Sequence, residues 1–187
     1  MHFTLSDLVT DITQNSCEAD AHSVELDIAE TESEFRFTVK DNGKGMSKEV
    51  LSRAFDPFVS DGSKHPYRKV GLGLPFLLQT AEQSGSGWHI ASKPGRGTVL
   101  EAWFNLRTVD MPPIGDIAGM VLTVLLFPGP TEFIVRRSVQ TELRRYNWEV
   151  RKTDLLEILE NLEKSDSLIV LNTYLRSQEK GGEGKSI

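Results

Sequence analysis

The composition of the chain is that of an acidic globular protein. Its 187 residues include 27 acidic and 21 basic side chains, for a net charge of −6 at pH 7, and 39% of the residues are hydrophobic. A chain of this length buries one full core and at most a small second one. The negative charge argues against nucleic acid or an anionic membrane as the main partner, because both favour a basic surface.

Cysteine content and hydropathy bear on the cellular compartment. Cys17 is the single cysteine, which excludes an intrachain disulfide and fits a reducing cytoplasm. The sequence shows no signal peptide, and its longest predominantly apolar stretch, Met120 to Phe127, is far too short to span a bilayer. We therefore expect a cytoplasmic protein without a membrane partner.

The first predicted element is a helix over residues 5–20, whose apolar residues recur at three- and four-residue steps. Beside this apolar stripe Asp11, Asn15 and Glu18 are spaced four and three apart, so their side chains line up along the helix. Such a polar line is either a solvated helix edge or a metal site. In the second case the Asn15 carbonyl oxygen holds Mg²⁺ and an acid one turn earlier polarises a water molecule.

Two alternating strands are predicted next, over residues 23–29 and 34–40. The second runs into Asp41, which is followed by Gly43 and Gly45. A carboxylate fixed at a strand end can accept a hydrogen bond from an amino group, and glycines let a flat ligand approach the backbone. The alternative is an ordinary Asp-Asn-Gly turn.

A polar, basic loop over residues 59–70 separates a short predicted helix, residues 47–54, from the run Gly71-Leu72-Gly73-Leu74-Pro75. That run opens a helix that stops before Gly85. Glycines at a helix N-terminus leave backbone N–H groups facing outward, which suits a phosphate, although a flexible hinge gives the same pattern. A hairpin over 88–92 and 98–106 completes the first unit.

Four of these segments, in order, resemble the ATP-binding domain shared by histidine kinases, the DNA gyrase B subunit, the superfamily's heat-shock chaperone and the mismatch-repair ATPases. The N box is similar to residues 11–19, the first glycine box to 41–45, the F box to 55–58 and the second glycine box to 71–73. The resemblance covers about residues 1–107. It implies the Bergerat fold of this GHKL superfamily, a two-layer α/β sandwich with a mixed sheet packed on helices.

The same resemblance implies ATP and Mg²⁺ as ligands, with Asn15 on the metal and Asp41 on the adenine amino group. Asp11 stands where the family carries the residue that activates the attacking water. Most members that hydrolyse ATP well have glutamate there, so the aspartate lowers the hydrolysis that we expect. The N box resembles the mismatch-repair and gyrase form, whereas residues 54–58, 71–74 and 94–98 resemble histidine kinases. The further nucleotide contacts that the resemblance implies are Gly43, Gly45, Met46, Phe58, Gly71, Leu72, Gly73, Leu74 and Thr98. The location of the basic loop adds Lys64 as a charge partner of the phosphates, with Arg68 or Lys69 as alternatives.

The sequence pattern of residues 108–176 predicts a small α-β-β-α appendage. Its first helix spans 114–125, with a buried strand over 120–126 as the alternative. Two strands over 131–139 and 147–153 follow, and Asp154 is predicted to cap the second helix.

Residues 165–175 are predicted to add a strand or a short helix, and residues 177–187 to be a disordered tail. The appendage also carries a basic group that is either a solvated face or a docking surface for an acidic partner. Its members are Arg136, Arg137, Arg144, Arg145 and Arg151.

The sequence thus predicts an ATPase or a protein kinase that acts on an unidentified protein partner. Two alternatives stay open. One is a nucleotide-dependent interaction module with negligible turnover, and the other is a detached histidine kinase catalytic domain that acts in trans.

Overall fold

The computed structural model describes residues 4–54, 73–83 and 86–181. The predicted Phe58, Lys64, Gly71 and Leu72 contacts lie outside these residues. The helices are α1 (Leu5–Cys17), α2 (Lys48–Ala54), α3 (Gly73–Gln83), α4 (Ile117–Leu125), α5 (Lys152–Leu159) and α6 (Ser165–Glu179). The strands are β1 (Ser23–Thr31), β2 (Glu34–Asp41), β3 (Gly87–Lys93), β4 (Gly97–Asn105), β5 (Glu132–Gln140) and β6 (Arg145–Arg151).

The strands form a six-stranded sheet in the order β3-β4-β2-β1-β5-β6. Neighbouring strands are antiparallel except β1 and β5, which pair in parallel. On β1 and β2 the burial alternates, as the period-2 pattern predicts. The buried residues of the sheet and of α1, α4 and α6 form one core, so the fold is a mixed sheet packed against helices.

Helix α1 begins where the sequence predicts and ends earlier. Thr4 caps it through a capping box with Asp7. The predicted end at residue 20 was wrong by three residues, because Asp20 has a φ of 58°, a left-handed conformation that cannot continue a helix. The chain turns there into β1, and the Asn42 side chain accepts hydrogen bonds from His22 and Ser23 N–H.

The strands of the predicted appendage extend the same sheet. β5 pairs with β1 from Ser23 to Thr31, and β6 pairs with β5. The helical prediction for α4 is confirmed over the strand alternative, and Asp116 caps this helix by accepting a hydrogen bond from Gly119 N–H at 3.0 Å. The predicted boundary at residue 107 therefore falls within a chain that shares one sheet and one core.

Three predictions near the C-terminus were wrong. Helix α5 begins at Lys152, which places Asp154 in its first turn and not at its cap. Residues 165–175 belong to α6, a helix of 15 residues, and not to a strand or short helix. This helix also takes in the first residues of the predicted disordered tail, since it runs to Glu179. The tail's residues 182–187 lie outside the described part of the chain.

Side-chain hydrogen bonds explain why the end of α6 is ordered. The Glu179 carboxylate accepts from Tyr146 Oη at 3.1 Å, from Trp148 Nε1 at 3.2 Å and from Arg137 Nε at 3.4 Å. Arg137 also forms an ion pair with Glu30, and both side chains are buried. The C-terminal end of α6 is thus attached to the sheet by polar contacts that no local sequence pattern predicts.

The predicted basic group is largely neutralised within the protein. Arg136 pairs with Glu25, Asp27 and Glu149, Arg137 with Glu30 and Glu179, Arg144 with Glu30, and Arg151 with Glu149. Hydrogen bonds from Lys40 and then Arg136 hold the pKa of Glu25 below its usual range. These arginines therefore belong to a network of side-chain ion pairs across β1, β5 and β6.

Within residues 4–54, 73–83 and 86–181, no helix combines the length and the apolar character needed to cross a bilayer.

Candidate functional site

The Asp41 carboxylate is held by the backbone at the end of β2. The residue is 5% exposed, and its Oδ1 accepts hydrogen bonds from Gly43 N–H at 2.9 Å and Thr98 N–H at 3.2 Å. Backbone donors orient a carboxylate without any loss of side-chain freedom on the donor side. Among the described residues Oδ2 has no hydrogen-bond partner. The carboxylate therefore keeps one oriented oxygen that can accept from a ligand.

The first glycine box fits against two other parts of the chain. A Cβ on Gly43 would overlap the carbonyl oxygen of Ala19, at the end of the N box. Gly45 has a φ of 62°, and a Cβ there would overlap the Lys93 carbonyl oxygen on the β3–β4 hairpin. These contacts by themselves require glycine at both positions. The prediction that the two glycines also make room for a base stays a prediction.

Ser92 joins the first glycine box to the hairpin. Its hydroxyl accepts from Met46 N–H at 2.8 Å, donates to the Gly97 carbonyl at 3.2 Å and shares a 2.9 Å hydrogen bond with the Thr98 hydroxyl. Ser92 was not predicted as a site residue. Its signal was the hairpin register, which places Ser92 directly across from Thr98.

The N box and the end of the second glycine box meet at Asp11. A Cβ on Gly73, the first residue of α3, would lie 3.2 Å from Asp11 Cβ and 3.4 Å from Ile12 Cδ1. The start of the second glycine helix thus packs directly on the N box, and Leu74 follows half-buried against the core. Asp11 and Asn15 are both exposed, one helical turn apart on α1.

The donor set at this place fits Mg²⁺. Asn15 offers a hard amide oxygen on an exposed face of α1, and Mg²⁺ in nucleotide sites takes one or two protein oxygens together with phosphate oxygens and water. Among the described residues no group of three or more His, Cys, Asp or Glu side chains gathers into a metal site.

Cys17, in the N box, and Lys152, the first residue of α5, are both shielded from solvent. Burial raises the pKa of the Cys17 thiol to about 12, so the thiol stays protonated at neutral pH. Burial also lowers the pKa of Lys152, whose ammonium donates to the Phe127 carbonyl at 3.1 Å. Cys17 is therefore not an activated nucleophile beside the candidate site.

Several known proteins are similar to this chain. Sporulation kinase A of Bacillus subtilis (strain 168) is 30% identical over 102 residues, which are 54% of this chain and 16% of that protein. Sporulation kinase C of the same strain is 33% identical over 85 residues, or 46% and 19% of the two chains. The CAI-1 autoinducer sensor kinase/phosphatase CqsS of Vibrio cholerae is 30% identical over 116 residues, or 61% and 16%. The chain therefore spans less than a fifth of the length of these relatives.

A solved structure, the nucleotide-free catalytic domain of the histidine kinase ThkA, aligns with a TM-score of 0.40 and 17% identity, covering 53% of this chain and 65% of that one. The profile of the family described as histidine kinase-, DNA gyrase B- and HSP90-like ATPases matches residues 3–108, which contain the N box, Asp41 and Gly73. The chain belongs to this family of ATPases.

Proposed function

We propose that the chain binds ATP with Mg²⁺ in the cytoplasm and transfers the γ-phosphoryl group to water or to a partner protein. The observation that carries the proposal is Asp41, a buried carboxylate that two backbone amides orient and that keeps an oxygen for a ligand. The family match supports ATP as that ligand.

Three of the four boxes have a role in this proposal. Asp41 accepts a hydrogen bond from the adenine amino group, and Asn15 holds Mg²⁺. Mg²⁺, when bound, neutralises charge on the phosphate oxygens, and phosphoryl transfer depends mainly on such neutralisation and on positioning. Asp11, packed against Gly73, orients the attacking group beside the start of α3. Met46, Gly73, Leu74 and Thr98 complete the described wall of the site.

A protein acceptor is the favoured destination of the phosphoryl group. Asp11 is one methylene shorter than the glutamate that we expect in an efficient ATPase, so water is held less well than by glutamate. The relatives named above are kinases, which supports transfer to a protein, including the case of a histidine on a separate chain. The same short side chain supports a second candidate, an interaction module that binds ATP with negligible turnover.

Calorimetric titration with ATP and Mg²⁺ tests the adenine contact. Asp41→Asn replaces an acceptor oxygen by an amide, and we expect affinity about 10- to 100-fold weaker, the range for losing a hydrogen bond to a charged group. Asp27→Asn is the matched control, because Asp27 lies on the opposite face of the same sheet, where it pairs with Arg136. Equal affinity of wild type and Asp41→Asn would refute the adenine assignment.

The rate of ATP turnover distinguishes phosphoryl transfer from an interaction module that only binds ATP. Phosphate release by wild type, Asp11→Ala and Asp11→Glu is measured alone, and radiolabel transfer is measured with proteins that co-purify. A wild-type rate that Asp11→Ala abolishes and Asp11→Glu raises supports phosphoryl transfer. Tight ATP binding with no release and no transfer supports the interaction module.

A further inference from the structure

Three exposed cations, Lys44, Lys93 and Arg96, gather at the closed end of the β3–β4 hairpin, and a fourth, Lys48, lies farther along β3; we call the four the basic rim. Backbone contacts bring them together. The Lys44 carbonyl accepts from Gly95 N–H at 2.7 Å, and the Lys93 carbonyl accepts from Arg96 N–H at 3.0 Å. Lys48 lines a hollow with Trp88 and Ile90, so residues 44–48 run beside β3 and the cations follow one edge of the molecule.

The members of the basic rim form no ion pairs in the described part of the chain. Residues 42–48 and 92–98 contain no acidic side chain, and Asp41 and Glu49 flank the first of these segments. Seven other basic residues do form ion pairs, namely Arg36, Lys40, Arg136, Arg137, Arg144, Arg151 and Arg176. In a protein of net charge −6 the rim is therefore a local concentration of uncompensated positive charge.

An exposed apolar side chain adjoins the basic rim. Val99 is 36% exposed on the open face of the sheet, beside the hairpin end. Its cross-strand neighbours are Ala91 on β3 and Lys40 on β2. A partner that reaches the cations can thus also cover an apolar side chain, as protein interfaces do when charged residues surround an apolar contact.

We propose that the basic rim is a docking surface for an aspartate- and glutamate-rich segment of a partner protein. The rim has too few cations for a nucleic-acid track, which neutralises about 6–10 phosphates, and the net negative charge opposes a polyanion of that length. Its location also matters. Lys44 stands between Gly43 and Gly45, and Gly45 packs on Lys93, so the rim adjoins the first glycine box, whereas Val99 and the Asp41 carboxylate lie on opposite faces of the sheet.

Fluorescence anisotropy of the full chain with a labelled peptide of aspartate and glutamate tests the proposal. We expect saturable binding that weakens with added salt. Lys93→Glu/Arg96→Glu should weaken it about tenfold or more, because two attractions become repulsions. The matched control is Arg107→Glu/Arg145→Glu, which reverses two exposed cations away from the hairpin turn that have no ion pair among the described residues. This control should keep the wild-type affinity.

Three results would overturn the proposal: no saturable peptide binding, equal weakening by both double variants, or equally tight binding of an oligothymidylate through Lys93 and Arg96. Thermal unfolding of each variant shows that the exposed changes leave the fold intact. ATP titration of the same samples is a separate readout, because its failure in wild type would speak against the nucleotide function and not against docking.

Discussion

Asp41 and Arg137 are both charged side chains buried on strands of one sheet, but they differ in how many of their hydrogen-bonding positions are used. Two backbone amides hold Oδ1 of Asp41, and Oδ2 has no partner among the described residues. Arg137 donates to Glu179, to the Ser138 carbonyl and to Glu30, with 1% of its side chain exposed. Each guanidinium nitrogen of Arg137 has a partner within the protein, so this charge serves the fold, whereas the oriented oxygen that Asp41 leaves without a partner can bind a ligand.

Breaking the Arg137 network should have the largest effect. Arg137→Met removes the buried partner of Glu30 and leaves only the half-exposed Arg144 on that carboxylate. Removing one partner of a buried ion pair costs about 3–5 kcal/mol, and because Arg144 remains we expect the lower end of this range. Urea unfolding measures this free energy. Arg136→Met is the control, because Arg136 pairs at the surface and its loss should cost about 1 kcal/mol or less. Similar losses of unfolding free energy in the two variants would show that the buried Arg137 ion pairs stabilise the fold no more than the surface ion pairs of Arg136.

Helix α6 offers the next largest test of the C-terminal half. Leu171 is 1% exposed in the shared core, and Leu171→Ala should lower the free energy of unfolding by about 2–5 kcal/mol. Ile169→Ala on the same helix, where the side chain is 65% exposed, should change it by about 0.5 kcal/mol or less. A small effect of Leu171→Ala would mean that the core contact of Leu171 contributes little to holding α6 against the sheet.

The glycine contacts of the first half should give an intermediate effect. Gly43→Ala places a Cβ on the Ala19 carbonyl oxygen, so backbone must move, at about 1–3 kcal/mol. We also expect weaker ATP binding, because Gly43 N–H orients Asp41. The control Gly95→Ala meets no atom within 4 Å, and only its φ of 69° opposes it, so it should cost about 1–2 kcal/mol and leave ATP affinity unchanged. Unchanged ATP affinity in Gly43→Ala would separate the glycine from the site.

The sequence predicted the first half well because its information is local. Alternation in β1 and β2, the capping box at Thr4 and the glycines around Asp41 are short patterns with a direct structural meaning. The parallel pairing of β5 with β1 is different, since it joins distant segments and no local pattern encodes it. Ser92 was likewise visible only through strand register.

The position of Glu30 in the sequence already indicated a buried ion pair, which was not predicted. Glu30 follows Val24, Leu26 and Ile28 in the period-2 pattern, so it lies on the buried face of β1. An acid at a core position requires a buried partner. Arg137, at an inward position of β5, was the candidate, and the pair would have joined the two halves of the chain. The extent of α6 was obscured because exposed Ile169 and Val170 interrupt its apolar stripe.

The smallest expected effect concerns the alkaline stability of the Arg137 network. Burial, followed by the charge of Glu179, raises the pKa of Tyr146 from 10.0 to about 12. The unfolded chain therefore loses this proton first, so the stabilisation is complete below pH 10 and is lost as pH rises through 12. Unfolding free energies between pH 9 and pH 12 should fall less steeply in Tyr146→Phe than in wild type.

Cys17 also titrates in this range, but it is present in both proteins, so its contribution cancels in the comparison. The control is Trp148→Phe, which removes another hydrogen-bond donor to the Glu179 carboxylate. Because the indole N–H does not titrate, this variant should keep the wild-type slope. Parallel slopes for wild type and Tyr146→Phe would show that the phenol is not held neutral by this network.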